Sequence, residues 1–166
     1  MDNGQVIDIR DSAYADDDGA AHPAVTEALA AYSADHSVLP EALDVLQRSR
    51  LLVPVVAVLG EVEYDEAGLA HDKTSDMATV LIQGADGRMA LLAFTCLDTM
   101  RRWKPDARPV PVSAQDAARS AQHDEAAALV VDIAGPVTLV VEGDDLQGYA
   151  EGWRLARVGE GTAWVR

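Results

Sequence analysis

The segment that decides the fold is ATVLIQGADGRMALLAFTCLDTMRRW, which covers residues 78–103. Two apolar runs, 78–84 and 89–95, flank the tripeptide Ala-Asp-Gly at 85–87. An Asp-Gly pair between two β-rich runs is typical of a tight turn, so this pattern predicts an antiparallel hairpin over 78–95. The hairpin supplies two neighbouring strands around which the other elements are arranged.

A helix is predicted directly after the second of these strands. Thr95, with Asp98 three residues later, matches a variant of the capping box, so we expect the Thr95 side chain to cap this helix. Apolar residues recur at helical spacing on one of its faces, at Leu97, Met100 and Trp103.

Upstream of the hairpin, the run LLVPVVAVLG at 51–60 indicates a strand buried on both faces. Pro54 lies inside this run and lacks an N–H group, which is typical of an edge strand or a bulge. Two helices are predicted before the run, one from Pro23 and one from Pro40, because apolar residues follow each proline at helical spacing.

Downstream of residue 103, helices and strands are again predicted in short pieces. These are an extended piece at 109–112, a helix capped by Ser113, two β-rich runs within 127–142, a short helix through Tyr149 capped by Asp144 and Asp145, and a final hairpin. Helices come early and hairpins follow, without a regular β-α-β alternation. We therefore expect an α+β fold, a single domain with a mixed or mainly antiparallel sheet packed with four or five helices.

Length and charge bound the organisation of the chain. Its 166 residues carry a net charge of -15, which repels a phosphate backbone and argues against nucleic-acid binding. We expect residues 1–21 to form a flexible acidic N-terminal segment, in which Val6, Ile7 and Ile9 can add a short edge strand, and residues 22–166 to form the domain. One cysteine, no leader pattern and no long apolar run predict a cytoplasmic protein without membrane contact.

The densest polar cluster between apolar strands is the loop at 71–76, His-Asp-Lys-Thr-Ser-Asp. Loops held by rigid strands often carry sites, so His71, Lys73, Ser75 and Asp76 are candidate ligand or partner contacts. The same residues also suit a structural turn that only connects two strands. No metal site is predicted, because the nearby acids Asp65, Glu66 and Asp72 lack the spacing of known metal loops.

A basic cluster interrupts the acidic chain at Arg101, Arg102, Lys104 and Arg108, interleaved with Trp103. It forms a secondary candidate patch for an anion or an acidic protein. The alternative is that these cations only close the C-terminus of a helix while Trp103 packs inward.

Cys96 is the remaining candidate, since a thiol in the first helical turn can acquire a lowered pKa. The four histidines are far from it in sequence, which favours a buried, inert cysteine. No catalytic residue and no cofactor are predicted, because the common nucleotide and hydrolase motifs are absent.

Three stretches carry a family resemblance: SRLLVPVVAVLG at 49–60, HDKTSDMATV at 71–80 and GRMALLAFTCLDTMRRW at 87–103. They resemble the SseB N-terminal-domain family, and specifically its actinobacterial members, from about residue 24 to the end. The resemblance implies the fold but no assigned reaction or cofactor. Cys96 stands where the family pattern has a small residue such as Ser or Gly, which weakens a catalytic role for its thiol.

Two classes of function follow. The first is a non-enzymatic protein-binding or regulatory domain that engages another protein, or itself as a dimer, through sheet edges and the 61–77 loop. The alternative is a small-molecule-binding domain or cryptic enzyme that uses the 71–76 loop. An immunity or antitoxin protein that holds a basic target fits the charge but has no motif.

Overall fold

The computed structural model describes residues 13–59, 62–64, 70–72 and 75–166, and within 58–77 only strand backbone is described. The helices of the described residues are α1 (Pro23–Ala34), α2 (Leu39–Gln47), α3 (Leu97–Trp103), α4 (Ala114–His123) and α5 (Gly143–Glu151), with a 3-10 turn at His36–Val38. The strands are β1 (Arg50–Leu59), β2 (Val62–Tyr64), β3 (Ala70–Asp72), β4 (Ser75–Thr79), β5 (Leu81–Gln83), β6 (Met89–Ala93), β7 (Arg108–Ser113), β8 (Ala128–Val131), β9 (Leu139–Glu142), β10 (Arg154–Val158) and β11 (Gly161–Val165). Five α-helices with mainly antiparallel strand pairs confirm the predicted α+β fold.

Two sheets meet to form the body of the structure. One has the order β5-β6-β8-β9, in which β6 and β8 are parallel and the other pairs are antiparallel. The other has the order β4-β1-β7, entirely antiparallel. Leu52 of β1 and Phe94, just after β6, exchange two backbone hydrogen bonds of 2.7 and 2.8 Å, so the two sheets are joined through β1 and the end of β6.

The predicted hairpin is confirmed for β5 and β6, but the predicted strand at 78–84 divides at Val80. Ala78 and Thr79 pair with β1 instead of β6. The Val80 carbonyl still accepts a hydrogen bond of 3.1 Å from the Leu92 N–H. One predicted strand therefore serves both sheets, a partner change that hydrophobic pattern alone does not encode.

Pro54 lies in the middle of β1, between two neighbours rather than at an edge. The Leu52 N–H points to Phe94, and N–H directions alternate along a strand, so the nitrogen of Pro54 faces the same side. At that position β1 changes its neighbour from Phe94 to β4, whose register begins with Val55 opposite Thr79. The missing N–H therefore removes no hydrogen bond to β7.

One face of the joined sheet is covered by four helices, α1, α2, α4 and α5. Its core includes Leu91 and Ala93 of β6, Leu129 of β8 and the fully buried Tyr149 of α5. The Tyr149 hydroxyl donates a hydrogen bond to the Leu43 carbonyl of α2, so the buried phenol is satisfied. Burial of this kind is the main stabilising contribution of the fold.

The opposite face is covered only in part, by α3. Leu92, Phe94 and Met100 are fully buried there, and the rings of Phe94 and Trp103 lie 5.7 Å apart. Beyond α3 no other described helix covers this face, and Val140 of β9 is 42% exposed.

Two of the predicted helix caps are wrong and one is confirmed. Cys96, not Thr95, is the N-cap residue of α3, because the Thr95 hydroxyl bonds elsewhere. The α5 helix begins after Glu142, which places Asp144 and Asp145 inside its first turn, where carboxylates still favour the positive helix end. The Ser113 side chain accepts a hydrogen bond of 3.0 Å from the Asp116 N–H, as predicted for α4.

Residues 13–21, the described part of the segment predicted to be flexible, lie against the start of β1 and α3. Arg50 donates to both carboxylate oxygens of Asp17 and to the carbonyls of Ala20 and Thr95. The buried Gly19 accepts a hydrogen bond of 2.8 Å from the Leu97 N–H. Residues 1–12, with the predicted edge strand at 6–9, lie outside the described residues.

The final hairpin of β10 and β11 is confirmed and packs on α5. Trp164 lies over Gly148 so closely that a Cβ there would come within 2.3 Å of the indole, and its ring meets Tyr149 edge-on. In the part of the chain that is described, every helix is too short or too polar to cross a bilayer.

Candidate functional site

The predicted 71–76 site lies in the part of the chain where only strand backbone is described. His71 belongs to β3, and Ser75 and Asp76 belong to β4, where Ser75 pairs with Leu59 and Asp76 with Val58. Lys73 and the side chains of the other three lie outside the described residues. Their role as contacts therefore stays a prediction.

The predicted basic cluster occupies the end of α3 and the start of β7. Arg101, Arg102 and Arg108 are exposed, and none has an acidic partner among the described residues. Lys104 is closer to an acid, with its Nζ 3.5 Å from an oxygen of Asp106. The cluster is thus a solvent-facing positive patch beside the half-buried Trp103.

The most constrained polar group of the described chain is Asp132, which sequence reasoning missed. It is only 3% exposed and has a φ of 57°, a left-handed conformation that Asp tolerates better than most residues. It directly follows β8, and its own N–H donates to Ala93 at the end of β6. Its position is therefore the carboxyl end of the only parallel strand pair described.

Two threonines satisfy the Asp132 carboxylate. Thr95 donates its N–H at 2.8 Å and its hydroxyl at 2.6 Å, and Thr99 of α3 donates its hydroxyl at 2.7 Å. The Thr138 hydroxyl also reaches the Asp132 carbonyl at 3.2 Å. This network ties β6, α3 and the β8–β9 connection together, and it explains why the Thr95 hydroxyl does not cap α3.

Cys96 lies beside this network and remains half-buried. Its Sγ is 3.6 Å from the Thr99 hydroxyl oxygen, whose single proton is directed to Asp132. In this arrangement the thiol is the donor to Thr99. The described contacts of Cys96 thus include a hydroxyl but no imidazole or amine that would accept its proton.

A cavity of about 470 Å³ opens between α1, α3 and the β8–β9 connection. Leu29, Ala30 and Val137 supply apolar walls, while Cys96 and Arg102 lie on the α3 side. Crevices at the carboxyl ends of parallel strands are common ligand sites. A larger opening of about 780 Å³ beside Arg50 is lined by the acidic segment 16–18 and is bridged by the Arg50–Asp17 ion pair.

The β9 edge of the joined sheet is open among the described residues. The Asp132 N–H faces β6. Because N–H directions alternate along a strand, those of Leu129 and Val131 face β9, opposite Val141 and Leu139. The N–H and C=O groups of Val140 therefore point away from the sheet. No described residue bonds to them.

The β7 edge is different. Leu51 and Val53 direct their N–H groups toward β7, opposite Val112 and Val110, so the nitrogens of Pro109 and Pro111 point outward. Pro109 and Pro111 lack a donor, which is a common way to prevent edge-to-edge pairing. By the same alternation Ser113, the last residue of β7, is the remaining outward position that has an N–H group. Val110 is 40% exposed on this edge, almost as much as Val140 on β9.

Ion pairs mark the end of the β9 edge. Arg88 contacts Asp86 at 2.6 Å and Glu142 at 3.2 Å. The side-chain hydrogen bond to Arg88 is the main reason that the pKa of Asp86 is lowered, and the same bond raises the pKa of Arg88. Asp144 is exposed just beyond Glu142, so this end of β9 is acidic.

The described residues include no cluster of three or more His, Cys, Asp or Glu side chains that could hold a metal ion. The acids and His71 of the 65–76 stretch lie outside that search.

Comparison with known proteins gives one match. The model of the SseB protein N-terminal domain matches residues 25–148, which confirms the resemblance to that family over those residues. No curated protein matches the chain. No solved structure matches it either.

Proposed function

The chain belongs to the SseB N-terminal-domain family, and we propose that it is a non-enzymatic binding domain that adds an extended segment of a partner protein to strand β9. The observation that carries this proposal is the open β9 edge with its exposed Val140. An edge strand with unpaired backbone groups is the template for β-strand addition. The proposal includes the single domain at 22–166 and a cytoplasmic location, which the lone cysteine supports.

Two features of β9 suit strand addition. It contains no proline. The side chain of Val140 lies beside the partly buried Val130 and Ile82, on the face of the sheet that faces away from α1, α2, α4 and α5. A partner strand would receive main-chain hydrogen bonds from the edge and apolar contact from this face. Main-chain bonds provide affinity, and the apolar contact provides specificity.

Charge favours a neutral or basic segment over a second copy of this chain. Each copy carries a net charge of -15, so self-pairing would bring two strongly acidic surfaces together. Glu142 is already paired with Arg88, so the exposed Asp144 just beyond β9 is the acid that would face a cation of the partner segment. The partner is therefore expected to present an extended apolar stretch flanked by Lys or Arg.

The test compares three full-length baits, the wild type, V140P and P111V, in quantitative proximity labelling. V140P removes one outward donor without removing a bond to β8, and P111V adds an outward donor to β7. We expect V140P to reduce recovery of the direct partner at least about tenfold, whereas P111V leaves it unchanged.

Each protein lost with V140P is then purified and titrated calorimetrically against both variants and against V140T. V140T keeps the N–H group and the β-branched shape, so it is expected to bind within about threefold of the wild type. V140D provides a second disruptive variant that retains the N–H donor. Unchanged affinity for V140P, or sedimentation that shows a second copy as the bound molecule, would contradict the proposal.

A further inference from the structure

The cavity between α1 and α3 is separate from the β9 edge, and its lining combines an apolar wall with one cation. Its volume of about 470 Å³ lies within the usual range for small-molecule sites. The apolar wall is formed by Leu29, Ala30, Pro136 and Val137. Such a wall accommodates a short aliphatic body.

The one cation of the lining, Arg102, belongs to helix α3. Arg102 lines the cavity, is exposed and has no acidic partner among the described residues. A guanidinium binds a carboxylate through two parallel hydrogen bonds, which makes this the natural counter-group. The neighbouring Arg101 does not line the cavity.

Two carboxylates also line the cavity, and they limit the charge of the ligand. The Asp132 carboxylate is already bonded to Thr95 and Thr99, so it has little capacity left for a ligand. Asp98 is exposed one turn before Arg102 and has no described ion-pair partner. Its negative charge would repel a second anionic group, which favours a single carboxylate over a dicarboxylate or a phosphate.

We propose that this cavity binds a small monocarboxylate with a short aliphatic body, its carboxylate on Arg102 and its chain against Leu29, Ala30 and Val137. The floor is preorganised, because the Asp132 network fixes the end of β8 relative to α3. The ligand enters a site that is already shaped, which reduces the entropic cost of binding.

Cys96 provides an internal reporter, since it is the only cysteine and lines the same cavity. The experiment measures the rate at which N-ethylmaleimide labels Cys96 in the full chain, by intact mass, during titration with hexanoate. Hexanol, hexylamine and succinate are compared with it, and sodium chloride matches the ionic strength. We expect hexanoate to slow labelling in a saturable manner, and the three comparison compounds to have much weaker effects.

Matched variants locate the carboxylate. R102Q is expected to raise the apparent dissociation constant for hexanoate about tenfold, whereas R101Q changes it by less than about twofold. D98N is expected to tighten binding about twofold to threefold, because a like charge is removed. A30L narrows the cavity and should abolish protection. Its control is A34L, at a position of the same helix that is also exposed but does not line the cavity.

The proposal is overturned if hexanoate gives no saturable protection, or if hexanol or hexylamine protects as well as hexanoate. Equal hexanoate affinity in R102Q and R101Q also overturns it. None of these outcomes depends on β9, so they leave the proposed partner binding untouched.

Discussion

The two outer strands of the joined sheet, β7 and β9, carry valines of almost equal exposure, 40% for Val110 and 42% for Val140, yet they differ in their free backbone groups. On β7 the outward nitrogens on either side of Val110 belong to Pro109 and Pro111, so no donor is presented beside that valine. On β9 the N–H of Val140 points outward and no residue in the described part of the chain accepts it. An exposed apolar residue alone does not define a binding edge; the unpaired donor beside it does.

The open edge is also held firmly at both ends. Asp132 and its two threonines fix the connection that leads into β9, and α5 follows β9 directly with Tyr149 fully buried. The edge is therefore a rigid template and not a frayed strand.

The largest expected effect is that of D132A. It leaves the Thr95 N–H and the Thr99 hydroxyl without a buried acceptor and places Ala at a φ of 57°, so the free energy of unfolding should fall by about 3 kcal/mol. In D132N the asparagine tolerates the left-handed backbone conformation and keeps one acceptor oxygen, so the free energy of unfolding should fall by only about 1 kcal/mol. Urea denaturation measures both. Equal losses would show that the network does not fix the start of β9.

A smaller effect is expected for Y149F, which removes the hydroxyl bonded to Leu43 and should lower the free energy of unfolding by about 1 kcal/mol at neutral pH. Burial, followed by the charges of Asp145 and Asp44, raises the pKa of Tyr149 well above its ordinary value. In the unfolded chain this tyrosine ionises near pH 10, whereas in the fold it stays protonated. Its contribution is therefore complete below about pH 10 and is lost as the pH rises further.

The consequence is that the wild type loses stability more steeply than Y149F above about pH 10, and the difference between the two narrows. Denaturant unfolding across that range checks the sign. If the stability difference between the wild type and Y149F widened with rising pH, the phenol of Tyr149 in the last turn of α5 would not be buried and neutral.

The smallest effect on stability is expected for P109V/P111V, which opens the β7 edge. Alternation places the new N–H groups outward, so the free energy of unfolding should change by less than about 0.5 kcal/mol. At high salt, which screens the repulsion between two acidic copies, the open edge should increase self-association, and sedimentation velocity detects this as a concentration-dependent rise relative to the wild type. If the variant sediments as the wild type does, the two prolines are not what closes β7.

Local signals made much of the fold predictable. Pro23 begins α1, Ser113 caps α4, and the Asp-Gly turn joins β5 to β6, because each depends on neighbours in sequence. The Thr95 cap failed because the acceptor of its hydroxyl is 37 residues away in sequence. The division at Val80 was missed for the same reason, since only the assembled sheets determine which strand lies beside Ala78.

The candidate site was less predictable than the fold. Asp132 had a weak signal, a single acid directly after the apolar run at 126–131, but nothing local indicated that it would be buried. The difference between the two edges needed the register of β1 with β7 and of β8 with β9. Hydrophobic pattern predicts which residues lie on a face, whereas the outward direction of an N–H group depends on pairing.

The most direct test of the central claim is hydrogen–deuterium exchange on the complex with the partner that V140P fails to capture. We predict that binding slows exchange in peptides that contain Val140 and Glu142, while those covering 108–113 exchange as in the free protein. Slowed exchange at 108–113 together with unchanged exchange at 139–142 would contradict the account.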